Sequence, residues 1–118
     1  MKSNQSIENL TKKIIAFRDA RDWRQFHNPK DVAISLILEA SELMEHFQWK
    51  NSEEIGEYVV KEKSAIAEEM ADVFYLILLL SHDLNVDIIA ASYKKLKKNE
   101  AKYPVAKAKG NHVKYNRL

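Results

Sequence analysis

The stretch Asp31–Trp49, DVAISLILEASELMEHFQW, constrains this chain more than any other. Asn28 can accept a hydrogen bond from an amide of the following turn, and Pro29 has no amide to lose at the first helical position. Together they predict a helix start. At about 100° per residue, Val32, Ala33, Leu36, Ile37, Ala40, Leu43, Met44 and Phe47 fill one broad apolar arc. Ile34 and Leu38 are apolar on the far side, so the pattern predicts a helix buried nearly all round. Its polar residues are not scattered: Ser35, Glu39, Glu42 and His46 share a strip roughly 60° wide. Unpaired charge is costly to bury, so the two carboxylates of that strip require a partner elsewhere in the chain.

Only two Gly and two Pro in 118 residues leave little for tight turns, which favours helices with short links. A first helix is expected over about Ser6 to Asp22, with Ile7, Leu10, Ile14 and Phe17 at helical spacing. Arg21–Pro29, RDWRQFHNP, is an aromatic-rich link into the central helix. Lys50–Lys63 is polar and reads as a loop with a short helix, capped by Asn51 or Ser52. Ser64 is the expected N-cap of a third long helix reaching about Leu84, on which Ala65, Glu69, Asp72, Leu76 and Leu79 share one side. Asp87 caps a fourth helix, stopped after Tyr103 by Pro104, with Ile88, Ser92, Lys95, Leu96 and Asn99 on one face. Four long amphipathic helices and no strand pattern give an all-α four-helix bundle. The expected organisation is a single domain over 1–118, with its core at about 6–104 and a basic tail over 105–118.

Several function classes fall away. Without cysteine there is no disulfide, zinc-thiolate site or thiol chemistry, which fits a reducing compartment such as the cytoplasm. A net charge of +2 gives no footing for nucleic-acid binding. The opening MKSNQSIENL lacks the apolar core of a signal peptide. The longest strongly apolar run, Val73–Leu80, is far shorter than the roughly 18–20 residues a membrane span needs.

The chemical signal is Glu39-x-x-Glu42 on the second helix with Glu69-x-x-Asp72 on the third. Residues three apart project to the same side of a helix, so each pair can close on one ion. Two antiparallel neighbours would bring four carboxylates to one locus, where they repel unless a cation is present. All-oxygen ligands suit Mg²⁺ or Mn²⁺. The chain has neither the Glu-x-x-His of di-iron bundles nor the HExxH of zinc enzymes. A lone ExxE is an ordinary solvated pair, and the same four acids suit a purely structural oligomerisation bundle or a non-catalytic nucleotide- or metal-binding module. His46, on the acidic strip, is expected as a hydrogen-bonding partner rather than a ligand.

Four blocks occur in order: RDWRQFHNP at 21–29, LEASELMEHFQW at 38–49, EEMADV at 68–73 and NEAKYP at 99–104. In these blocks the chain resembles the MazG-like all-α nucleoside triphosphate pyrophosphohydrolases, most closely their dCTP pyrophosphatase branch. The resemblance spans roughly Ile7 to Pro104. It implies Mg²⁺-dependent hydrolysis between the α- and β-phosphates of a nucleoside triphosphate, with pyrimidine deoxynucleotides such as dCTP as expected substrates. The family's acidic pairs map onto Glu39, Glu42, Glu69 and Asp72 as metal ligands, with Glu42 as the expected group that orients or deprotonates water. The resemblance also assigns Trp23 and Trp49 to base stacking, Lys95 and Asn99 to the nucleotide, and a dimer or tetramer as the assembly. The chain departs from that branch at Leu76, where a tyrosine is common; its tyrosine is Tyr75, one residue earlier.

Overall fold

The computed structural model describes residues 6–118. They form α1 (Ile7–Ala20), a 3₁₀ turn (Arg24–Phe26), α2 (Pro29–Glu45), α3 (Ser52–Lys61), α4 (Lys63–Asp83), α5 (Ile88–Lys102), the short α6 (Val105–Ala108) and a last 3₁₀ turn (Tyr115–Arg117). No strand occurs among the described residues. Two compact units divide them, one ending at Asn85 and the other Val86–Leu118.

Local chemistry explains the helix starts. Ser6, Asn28 and Asp87 each accept a hydrogen bond from the backbone amide three residues on, at Asn9, Asp31 and Ala90. Pro29 occupies the first turn of α2 as expected. α3 is more regular than the loop-rich expectation, because Asn51 and Glu54 form a reciprocal capping box with bonds of 2.9 and 3.0 Å. Asn51→Ala should cost about 1 kcal/mol of stability, measurable by denaturant unfolding. Ser64 is not a cap: α4 already begins at Lys63, one residue after Glu62 closes α3, and has no side-chain cap.

In the first unit, α4 is the common packing partner, most extensively of α2 and also of α1 and α3. Its Leu78 and Leu79 are fully buried, joined in the core by Ile14, Val32 and Ile66. The buried polar residue is Arg18 of α1, 2% exposed. Its guanidinium makes a two-pronged bond to Asp83 at the end of α4, Nη1 to Oδ2 at 2.8 Å and Nη2 to Oδ1 at 3.0 Å. Burial pushes the Asp83 carboxyl up, but the Arg18 hydrogen bonds and the charges of Arg18 and Arg24 prevail and hold it below its ordinary value.

α2 departs from the expectation of burial nearly all round. Val32 is its buried residue, whereas Ile37 and Leu38 are 65% and 61% exposed. One chain supplies α4 to cover one side of α2 and leaves the other bare. No single helix among the described residues is long and apolar enough to cross a membrane.

Candidate active site

The two acidic pairs meet. One carboxylate oxygen from each of Glu39, Glu42, Glu69 and Asp72 lies within 4.8 Å of all the others. α2 and α4 bring them together because each pair sits at a three-residue step beside an apolar face that packs against the other helix. Glu39 and Glu69 are half-buried, while Glu42 and Asp72 open to solvent.

Electrostatically this is an unbalanced site. No described Lys or Arg forms an ion pair with any of the four. The Oε2 atoms of Glu39 and Glu69 are buried without a hydrogen-bond partner. The side-chain hydrogen bond with Glu42, then burial and the neighbouring negative charges, push the Glu39 carboxyl up to about 7. Glu69 is raised as well, by burial first and then by the charge and hydrogen bond of Glu42. Four converging carboxylates, two with orphaned buried oxygens, fit a divalent cation. Their span is close to the roughly 4.2 Å between opposite ligands of an octahedral Mg²⁺ shell.

Beside Asp72 opens a cavity of about 560 Å³, lined by Lys13, Ile14, Phe17, Trp23, Asp72 and Tyr75. Its aromatic wall is edge-to-face: Phe17 meets Trp23 at 5.7 Å and 77°, and Tyr75 at 6.4 Å and 88°. Arg21 stacks its guanidinium 3.8 Å from the Phe17 ring centre, fixing that ring from outside. Trp23 is 41% exposed, presenting part of its ring to the opening. The structure thus joins Trp23 to the acidic locus and adds Lys13, Phe17 and Tyr75. Tyr75, the tyrosine that stands one residue before Leu76, lies off the carboxylate stripe on a helical wheel. The cavity lies to one side of that stripe, toward α1, where Tyr75 points.

Trp49 follows the end of α2 in a left-handed conformation, φ 69°, and is 91% exposed. Lys95 and Asn99 line a groove of about 460 Å³ on α5 with Ile88, Ala91, Ser92 and Leu96, the face expected from their spacing. His46 is a hydrogen-bonding partner, its Nδ1 lying 2.6 Å from the Tyr58 hydroxyl.

The chain is similar to known proteins. Residues 34–118 match the MazG-like family. The chain is 35% identical to dCTP pyrophosphatase 1 of Rattus norvegicus over 115 residues, covering 96% of this chain and 68% of that protein. It is 33% identical to dCTP pyrophosphatase 1 of Homo sapiens, with the same coverage. A crystal structure of a pyrophosphatase from Archaeoglobus fulgidus superposes with a TM-score of 0.79 at 40% identity, covering 82% of this chain and 91% of that one. The matched region holds both acidic pairs, and identity of this level extends over nearly the whole chain, so the chain belongs to the MazG-like family.

Proposed function

We propose that this chain is a nucleoside triphosphate pyrophosphohydrolase acting on pyrimidine deoxynucleotides, dCTP foremost, with Mg²⁺ held by Glu39, Glu42, Glu69 and Asp72. The observation that carries this reading is the convergence of four carboxylates beside a cavity walled by Trp23. Water attacks the α-phosphorus, the bond from that phosphorus to the bridging oxygen breaks, and pyrophosphate leaves with the oxygen, giving the monophosphate. A divalent cation held by these four carboxylates would supply charge to offset the phosphate oxygens and would make water more acidic; Mn²⁺ would suit the same donors. Glu42, solvent-facing and hydrogen-bonded to Glu39, orients or deprotonates the attacking water.

The Trp23 ring stacks on the base, a contact worth about 1–3 kcal/mol that tolerates any base. Discrimination therefore falls to the polar residues of the cavity lining, of which Tyr75 is one. Lys95 and Asn99 are assigned to the nucleotide on the family resemblance. A homodimer or tetramer is supported by the bare apolar side of α2 and by an apolar groove of about 510 Å³ along Leu43, Met70, Phe74 and Ile77. Trp49, exposed in the single chain, is assigned to the nucleotide on the family resemblance. The cysteine-free composition fits a cytoplasmic enzyme.

The test is pyrophosphate release across the four dNTPs and four NTPs, with and without Mg²⁺. The expected result is strict Mg²⁺ dependence and the highest kcat/KM for dCTP. Trp23→Ala should raise KM roughly thirtyfold, in the middle of the stacking range, with kcat little changed. A folded, metal-binding protein that turns over none of the eight would instead be a non-catalytic nucleotide-binding module.

A further inference from the structure

Trp23 is bracketed by a polar clamp that no step of the proposed reaction uses. Its backbone N–H donates to the Arg18 carbonyl at 3.1 Å, and its own carbonyl accepts from the Phe26 amide at 3.0 Å. Asp22, just before it, has φ 53°, so the chain turns sharply between α1 and the indole. The side chain of Arg18 is buried and forks onto both oxygens of Asp83. Arg24, just after Trp23, brings Nη1 to 3.9 Å from Asp83 Oδ2 and donates to the His27 carbonyl at 2.8 Å. The residues that flank the indole-bearing turn thus converge on one carboxylate of α4. Burial, with the Arg18 charge adding to it, lowers the pKa of nearby His27, against the opposing pull of Asp83.

We infer that Asp83 is a positioning residue for Trp23: through Arg18 and Arg24 it fixes the turn that carries the indole, and so sets nucleotide affinity without touching the nucleotide. The inference rests on the reading of Trp23 as the base-stacking wall. Its physical basis is economy of geometry. An apolar pair would pack α1 on α4 as well, since a buried ion pair repays its desolvation only when its geometry is tight. A bidentate guanidinium–carboxylate pair also fixes direction, which a greasy contact does not. The anchor sits about three turns beyond Asp72 on the same helix, so one rigid element holds both the acidic locus and the wall.

The test separates positioning from mere packing. Arg18→Met combined with Asp83→Leu removes both buried charges and leaves the helices apolar contacts, so the protein should fold with equal or greater stability. It should nevertheless raise KM for the nucleotide roughly fivefold, less than the full loss of stacking. In a Trp49→Phe background Trp23 is the sole tryptophan, and acrylamide quenching of its fluorescence should rise in the same variant. Arg24→Ala, at an exposed site that does not endanger folding, should move KM and quenching in the same direction by a smaller amount. Wild-type KM and quenching in both variants would overturn the inference. If Trp23→Ala raises KM while the double variant shifts neither quantity, the clamp falls and the stacking reading stands. If quenching rises in the double variant while Trp23→Ala leaves KM alone, the clamp stands and the stacking reading falls.

Discussion

Glu69→Gln should lower kcat for Mg²⁺-dependent pyrophosphate release roughly a thousandfold, the scale of removing a central electrostatic group. The same change should raise the melting temperature of the metal-free protein at pH 8. Both effects have one origin. Glu69 places a buried, unpartnered oxygen among three other carboxylates, and a cation rewards what the empty cluster penalises. Glutamine keeps the shape, loses the charge and relieves the repulsion. Steady-state kinetics with thermal melts in EDTA and in Mg²⁺ read both effects. A structural bundle with solvated acids predicts the stability gain with no loss of turnover, so a fully active Glu69→Gln protein would remove the metal site from the mechanism.

The metal-free protein should become less stable as pH rises through neutrality, the reverse of a chain held by ordinary ionised carboxylates. Glu39 loses its proton near its ordinary 4.5 when unfolded but near 7 when folded, chiefly because of the hydrogen bond with Glu42, then burial and neighbouring charge. Between those values the folded state binds more protons than the unfolded one. Stability therefore falls across that window, and the loss is complete above about 7. Glu69, also raised, acts in the same direction, while His27, shifted below its ordinary 6.5 by burial, opposes the two acids in the upper part of the window. Asp83 is shifted downward, so its contribution is lost only as acid reaches below the ordinary carboxylate range, outside this window. Mg²⁺ binds the ionised cluster, so it should raise the melting temperature much more at pH 8 than at pH 5.5 and release protons on binding near pH 6.5. Melts at both pH values and calorimetry in buffers of different ionisation heat measure this. A melting temperature flat across the window, with equal Mg²⁺ effects at both ends, would count against the coupling of these acids.

Much of this was legible in the residues because the signals are local. Asn28–Pro29, Ser6 and Asp87 start helices through bonds spanning three positions, so the starts of α1, α2 and α5 follow from a few adjacent residues, whereas the uncapped start of α4 does not. The acidic locus was legible for a related reason: two three-residue steps on apolar-faced helices leave few ways to satisfy the charge. What escaped is non-local. The Arg18–Asp83 pair joins positions 65 residues apart, and the sequence marks it only by placing an arginine one turn after Ile14, toward the buried side of α1. Tyr75 lies off the stripe on a helical wheel, and only the placement of α1 against α4 puts it on the cavity wall. What covers the exposed side of α2 is not legible, because composition reports that a face is apolar and not which molecule covers it.

Trp49 has a backbone that glycine would adopt freely and a large side chain strains, yet its ring faces solvent in the single chain. Selection for thermal resistance and selection for turnover should therefore pull this position apart. The first favours glycine or asparagine, which relieve the left-handed turn, and the second retains the indole. Any heat-hardened library drawn from this chain should be checked at position 49 before its loss of activity is blamed on the metal site.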